Sequence, residues 1–346
     1  MSDVQGLPDL KNVANHQVRL AARPNGLPGP EVWDHTTETV TEPAEGRFVV
    51  QVTHVSLDPA MRGWLNDVKS YAPPVGIGEV MRALAAGRVV ASNHPDFAVG
   101  DVVTGTFGVQ EYAESDGAGV QKVHPTDEAG VPTHLALLGM TGMTAYFGLF
   151  DVGALRDGET VVVSGAAGAV GSVVGQLAKI KGCRVVGIAG GPEKCAWIVD
   201  ELGFDAAIDY RAEDVRKALR TAAPDGIDVY FDNVGGEILD AALTRLRHGA
   251  RVAICGAIST YNATEPPPGP ANYMSLLVNR ARMEGFLVFD YVEKFPQAAK
   301  EMAGWLREGR LHSREDVVSG QVSDFGDVLL RLFRGENTGK LVLQIA

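Results

Sequence analysis

The run Val161-Val162-Val163-Ser164-Gly165-Ala166-Ala167-Gly168-Ala169-Val170-Gly171 narrows the folds open to this 346-residue chain more than any other stretch. A strand rich in β-branched residues ends in a tight turn of small residues, which opens into a helix-like segment. At such a junction the backbone can approach a pyrophosphate, and the helix N-terminus offers unpaired N–H groups and a favourable dipole. A side chain at Gly168 would block that approach, while Gly171 lets the helix pack on the strand. Ala166 stands where the first glycine of the six-residue dinucleotide fingerprint would be, so the motif alone is weak. Its setting strengthens it. Strand-like runs at 159–164, 184–189, 206–210, 228–232 and 251–256 alternate with helical segments at 170–181, 193–202, 213–222 and 237–246. Such alternation predicts an α/β architecture, a doubly wound parallel sheet of the Rossmann type. The plainer alternative is a glycine-rich packing turn that binds no nucleotide.

Before residue 130 the signals are those of β structure. Runs at 48–53, 87–91 and 102–105 are rich in β-branched residues and bounded by turn formers, and Pro73-Pro74-Val75-Gly76-Ile77-Gly78 reads as an irregular loop. No long helix is expected there. Residues 134–150 read as a glycine-bearing helix connecting two domains, the number that the length suggests. A helix over 295–308 precedes short β-like runs at 317–318 and 340–345, which either return to the first domain or cap the second. The proline run at 265–270 reads as a semi-rigid surface loop.

Composition then removes function classes. A formal net charge of −12 repels phosphate backbones, so no nucleic-acid partner is expected. Residues 131–150 and 160–178 lack charged side chains, but the first is broken by Pro132, Gly139, Gly142 and Gly148, and the second reads as strand, turn and helix. No membrane span is expected. Met1-Ser2-Asp3-Val4-Gln5-Gly6 has no basic cluster followed by an apolar stretch, so no secretory signal is expected. Cys183, Cys195 and Cys255 make an odd set that fits a reducing, cytoplasmic compartment, and their spacing suits buried strand or helix positions. The eight histidines are scattered without ligand spacing, so no metal is expected.

The second strand of the nucleotide half ends Ile188-Ala189-Gly190-Gly191, with no acid at its tip to hold the ribose hydroxyls of NAD. Lys194 follows, a cation suited to a 2′-phosphate, although Glu193 beside it offsets part of the charge. NADPH is the expected cofactor.

These residues, with further motifs, resemble the medium-chain dehydrogenase/reductase superfamily. Within it they resemble the zinc-free branch of leukotriene B4 dehydrogenase/prostaglandin reductases and alkenal double-bond reductases. The motifs are Leu57-Asp58-Pro59-Ala60-Met61-Arg62, Gly139-Met140-Thr141-Gly142-Met143-Thr144-Ala145-Tyr146, the glycine turn, Phe231-Asp232-Asn233-Val234-Gly235-Gly236, and Ile254-Cys255-Gly256-Ala257-Ile258-Ser259-Thr260-Tyr261-Asn262. The resemblance implies a GroES-like β-rich catalytic domain over 1–130, completed by 311–346. It also implies a Rossmann NADPH-binding domain with its connecting helix over 131–310, and a homodimer through edge strands near 283–289. Carried over by position, Gly168, Ala169, Val170 and Gly171 would meet the pyrophosphate, and Lys194 and Tyr210 the adenosine phosphate end. Asn233, the loop Cys255, Gly256, Ala257, Ile258, Ser259, Thr260 and Tyr261, then Phe286, Leu287, Val288 and finally Asn337 would complete the cofactor site. Many relatives carry Tyr where this chain has Ala60, and zinc-dependent cousins carry His-Glu where this chain has Gly78-Glu79.

Hydride addition to a carbon–carbon double bond becomes feasible when a conjugated carbonyl takes the charge as an enolate, and a donor aimed at that oxygen lowers the barrier. The expected reaction is NADPH-dependent reduction of α,β-unsaturated aldehydes or ketones, with Tyr261 as catalytic phenol. The unperturbed phenol pKa near 10 keeps such a group protonated at neutral pH. Tyr71 and Tyr273 are candidates for the substrate cleft, or else ordinary loop aromatics. Two alternatives stay open: an NADPH quinone reductase, and a non-catalytic NADPH-binding structural or sensor protein.

Overall fold

The structure, a computed structural model, describes residue 10 and residues 12–346, so the segment Met1 to Gly6 lies outside the described residues. The chain divides into two compact units. One comprises residues up to Leu135 together with Asp316–Glu336 and Leu341–Ala346; the other comprises Ala136–Glu315 and Asn337–Lys340.

The first unit is mostly antiparallel β structure. It contains β1 (Ala14–Leu20), β2 (Trp33–Thr39), β3 (Phe48–Ser56), the short α1 (Met61–Trp64), β4 (Ala85–Ser92), β5 (Val102–Gly105), β6 (Tyr112–Ser115), β7 (Gln121–Lys122) and α2 (Val131–Leu135). The second unit runs through α3 (Met140–Phe147), β8 (Thr160–Ser164), α4 (Gly171–Ile180), β9 (Arg184–Ala189), α5 (Pro192–Asp200), β10 (Ala206–Asp209), α6 (Val215–Ala222), β11 (Ile227–Asp232), α7 (Gly236–Leu243), β12 (Leu246–Ile254), α8 (Met274–Asn279), β13 (Arg282–Gly285) and α9 (Phe295–Arg307). The chain then supplies β14 (Glu315–Gly320), α10 (Phe325–Arg334) and β15 (Lys340–Ile345).

β14, β15, β3, β4, β5 and β7 follow one another across a single sheet in which β6 also pairs with β3, while β1 and β2 form a separate ribbon. The C-terminal run thus returns to the first unit, one of the two placements that its periodicity left open. The return is cemented by α10, which buries Phe325, Val328, Leu329 and Leu332 at helical spacing. The Phe325 ring meets Trp33 edge-on at 5.3 Å.

In the second unit the strand order is β10-β9-β8-β11-β12-β13, and every recorded pairing is parallel. Numbered from β8, this is the 3-2-1-4-5-6 order of the Rossmann fold, with its topological switch point between β8 and β11. β8 and β11 are buried along their whole length, as central strands covered on both faces must be.

Three local expectations need correction. β1 and β2 were not anticipated, because β2 (Trp-Asp-His-Thr-Thr-Glu-Thr) is almost wholly polar and exposed and lacks the apolar alternation of a core strand. The expected helix over 134–150 is interrupted between α2 and α3, where Gly139 is extended. A Cβ on Gly142 would lie 1.8 Å from the Leu137 carbonyl oxygen, so the chain folds back there only because this residue is glycine. The helix expected over 237–246 stops at Leu243, and Leu246 already pairs with Ile227 at the start of β12. Among the described residues no helix is long and apolar enough to cross a membrane.

Candidate functional site

The glycine turn lies where β8 gives way to α4. Gly165 takes φ +60°, and Gly168 donates its N–H back to the Gly165 carbonyl at 2.9 Å. A Cβ on Gly171 would lie 2.3 Å from the Gly165 oxygen, a backbone atom that cannot move aside, so this glycine closes helix on turn. A Cβ on Gly168 would meet only that same oxygen, at 3.1 Å, leaving its outer side open for a ligand. Gly339 covers the turn from another direction: its N–H donates to the Ala167 carbonyl at 2.8 Å, and it forms a parallel bridge with Gly168. The Asn337 side-chain amide donates to the Gly339 carbonyl at 3.0 Å, which fixes that segment.

Across the switch point, Ser164 and Asp232 tie the two central strands together. The Ser164 hydroxyl donates to Asp232 Oδ1 at 2.8 Å and accepts the Asn233 N–H at 2.9 Å. Asp232 Oδ1 also accepts from the Tyr230 hydroxyl and from the backbone N–H groups of Val234 and Gly235. Its other oxygen is buried with no partner among the described residues. Asn233 donates its side-chain amide to the Ser164 carbonyl at 2.7 Å.

The loop after β12 is laced onto this knot. Cys255 and Gly256 donate to the Asp232 carbonyl, Ile258 to that of Asn233, and Ser259 to that of Val234. Tyr261 closes the loop, its phenol oxygen accepting the Ala257 N–H at 3.2 Å. A Cβ on Gly256 would come within 2.7 Å of that oxygen, so glycine is what lets the ring lie back over the backbone. Burial, with the Asp232 charge adding to it, pushes the Cys255 thiol up to about 12.

At the tip of β9, Tyr210 is half exposed, and Arg211 follows it with its guanidinium over the Tyr210 ring at 5.9 Å. A Cβ on Gly190 would meet both side chains at about 2.9 Å, so they lie over the strand tip. Asp209 at the end of β10 reaches this tip from the neighbouring strand. Its Oδ1 is engaged by the Gly191 and Arg211 N–H groups, which hold its carboxyl below the usual range. Arg211, Ser164 and Asp232 carry site geometry to which the sequence reading gave no role. Arg211 was signalled only by its adjacency to Tyr210.

Other expected residues are placed differently. Val288 is buried, and the Phe286 ring turns inward against Phe231 and Gly148, so these two offer a ligand their backbone; Leu287 between them is partly exposed. Tyr273 precedes α8 with its ring exposed, and nothing described brings it to the other candidates. Tyr71 belongs to the first unit, where its hydroxyl accepts the Trp64 indole N–H at 2.9 Å. Burial pushes this phenol above its usual value, outweighing the opposing pull of the Trp64 N–H. Of the cysteines, Cys183 is buried but sits in the turn before β9, Cys195 is half-buried in α5, and Cys255 follows β12, so the expectation of three strand or helix positions holds only for Cys195. Among the described residues no group of three or more His, Cys, Asp or Glu side chains is gathered that could hold a metal ion.

An open glycine turn at a switch point, a helix N-terminus beyond it and cationic side chains at the second strand tip fit a phosphorylated dinucleotide. Comparison with known proteins agrees with this geometry. Residues 16–123 match a profile described as N-terminal domain of oxidoreductase, and residues 169–304 one described as zinc-binding dehydrogenase. The chain belongs to the medium-chain dehydrogenase/reductase superfamily, in the zinc-free branch that holds the prostaglandin and alkenal reductases. Its relatives include a putative NADP-dependent oxidoreductase, YfmJ, of Bacillus subtilis, 45% identical over 96% of this chain and 98% of that one. An NADPH-dependent curcumin reductase of Escherichia coli is 43% identical over 96% and 97%. The crystal structure of CurA from Vibrio vulnificus in complex with NADPH superposes with a TM-score of 0.91, at 44% identity over 96% of this chain and 99% of that one.

Proposed function

We propose that this protein reduces the carbon–carbon double bond of α,β-unsaturated aldehydes and ketones, using NADPH. The observation that carries the reading is the end-to-end similarity to an NADPH-dependent curcumin reductase in a chain that keeps an open glycine turn and a tyrosine-closed loop. When bound, NADPH supplies the hydride that reaches the β-carbon.

The residues of the chain do the rest. Gly168 leaves room for the pyrophosphate, Ala169, Val170 and Gly171 offer it backbone N–H groups, and Lys194, Tyr210 and Arg211 stand at the adenosine phosphate end. Asn233, the loop from Cys255 to Tyr261, the backbone of Phe286 to Val288, and Asn337 line the remaining length. Tyr261 presents a phenol to the substrate oxygen and donates a hydrogen bond or proton as the enolate forms, with the Ala257 N–H fixing its oxygen. Tyr71 is a second phenol for the substrate: because its oxygen accepts from Trp64, its own O–H is left to donate. Tyr273 is assigned to the substrate side by position alone. In this reading residues 1–130 with 311–346 form the catalytic domain and 131–310 the cofactor domain.

The protein would act as a homodimer in the cytoplasm. β13 is the outermost strand of the parallel sheet and exposed at every residue, and Leu277, Val278, Met283 and Phe289 around it are exposed apolar side chains. A second copy would cover both the strand edge and this patch. Light scattering of the purified protein tests the dimer.

Turnover is tested by loss of absorbance at 340 nm with a panel of enals, enones and quinones, each with NADPH and NADH. Consumption of NADPH by enals and enones, with a saturated carbonyl product, is expected. Turnover confined to quinones, or none at all, would overturn the reading.

A further inference from the structure

Arg314 lies just before β14, in the segment that carries the chain away from the second unit. Two hydrogen bonds hold this segment along α4: Gln176 Nε2 donates to the His312 carbonyl at 3.1 Å, and His312 N–H donates to Gln176 Oε1 at 2.7 Å. The Arg314 carbonyl then accepts the Lys340 N–H at 2.9 Å. Neighbouring Gly339 is pressed so close that a Cβ on it would lie 2.1 Å from the Arg314 oxygen. Gly339 is itself bonded to the glycine turn. The backbone of Arg314 is therefore fixed beside the turn at which the pyrophosphate is expected.

Its side chain lies against α5. The guanidinium lies 4.8 Å from the centre of the Trp197 ring, a cation–π stack that limits where it can go. Trp197 is on α5, three residues beyond Lys194, so the two share a helix face. Side chains on a helix lean toward its N-terminus, which tilts Trp197 and whatever stacks on it toward Lys194 and the tip of β9. Arg314 is exposed, and among the described residues no carboxylate pairs with it. A guanidinium with no carboxylate partner, held against α5 beside the glycine turn, is placed to take an anion.

We propose that Arg314 is a specificity-determining residue, a guanidinium that grips the 2′-phosphate of NADPH together with Lys194 and so sets the preference over NADH. The assignment rests on the NADPH reading above. A guanidinium suits this place because its planar donors can take two phosphate oxygens while one face stays on the indole.

The test is direct binding. Dissociation constants for NADPH and NADH are measured by isothermal titration calorimetry on the wild-type protein, Arg314→Met and Arg314→Lys. Methionine keeps an apolar stem on Trp197 and removes the charge. NADPH binding should weaken roughly tenfold or more in Arg314→Met, the scale of a lost hydrogen bond to a charged group. NADH binding should change by less than about twofold, and Arg314→Lys should recover part of the loss. Equal weakening of both dinucleotides would mark a structural role, and no weakening of either would mark none; both overturn the assignment. A wild-type protein that binds NADH as tightly as NADPH would sink the cofactor reading itself, and the assignment with it.

Discussion

The hydroxyl of Ser164 and the carboxylate of Asp232 are bonded at 2.8 Å, joining the tips of the two central strands at the point where the sheet reverses its order. One oxygen of that carboxylate gathers four donors, two of them from the loop that follows β11. The crevice is thus shaped by a buried acid that faces the protein interior.

Removing that acid should damage fold and binding together. Asp232→Ala leaves four donors unsatisfied and should cost about 3 kcal/mol or more in urea unfolding, with NADPH affinity falling in parallel. Asp232→Asn keeps an acceptor in place and should recover most of both. An alanine variant as stable as wild type would show that the knot contributes nothing.

Gly168 and Gly171 should fail in opposite ways. Gly171→Ala forces a Cβ to 2.3 Å from backbone and should lower unfolding free energy by about 1–3 kcal/mol. Gly168→Ala meets one backbone oxygen at 3.1 Å and asks for only a small shift, so its melting temperature should stay within about 3 °C of wild type while NADPH binding weakens at least tenfold. Calorimetric melting and titration of the two variants would separate these outcomes, and identical behaviour would contradict the geometry.

The two phenols differ in their surroundings and should differ in effect. Tyr261→Phe should lower kcat roughly a hundredfold if the phenol serves the enolate oxygen, and unaltered turnover would reduce Tyr261 to a loop closure. Tyr71→Phe should lower kcat/KM more than Trp64→Phe, which removes only the indole donor that steadies Tyr71. Since burial raises the Tyr71 value, its proton is kept as pH rises, and kcat/KM should stay level up to about pH 9. A decline centred well below that would count against a role for this phenol.

An enzyme acting on electrophilic enals must keep its own thiols from adding to them. With the Cys255 value near 12, only about one thiol in ten thousand is thiolate at pH 8. Burial raises Cys183 and Cys195 as well. Incubation of the native protein with a short enal, followed by mass spectrometry, should find Cys255 unmodified after many turnovers. Rapid adduct formation there would show that the raised value does not protect this thiol.

The nucleotide half was legible because its signals are local: valine-rich β8 and the glycines after it need only a few neighbours to be recognised. β2 was invisible because Trp33 alone of its seven residues is buried, so neither apolar alternation nor a hydrophobic run marks it. Tyr261 could be named from its motif, but that its phenol lies back on the Ala257 N–H depends on the absence of a side chain at Gly256. Arg211 and Asp232 escaped because their roles come from placement by strands far apart in sequence.

Gly339 lies 172 residues beyond Ala167, yet it is hydrogen-bonded to the turn there. The coenzyme cradle is therefore finished late: its closing bond waits for a segment synthesised long after the turn itself. A chain that stopped short of Gly339 would keep every strand of its parallel sheet and still have an unfinished nucleotide seat.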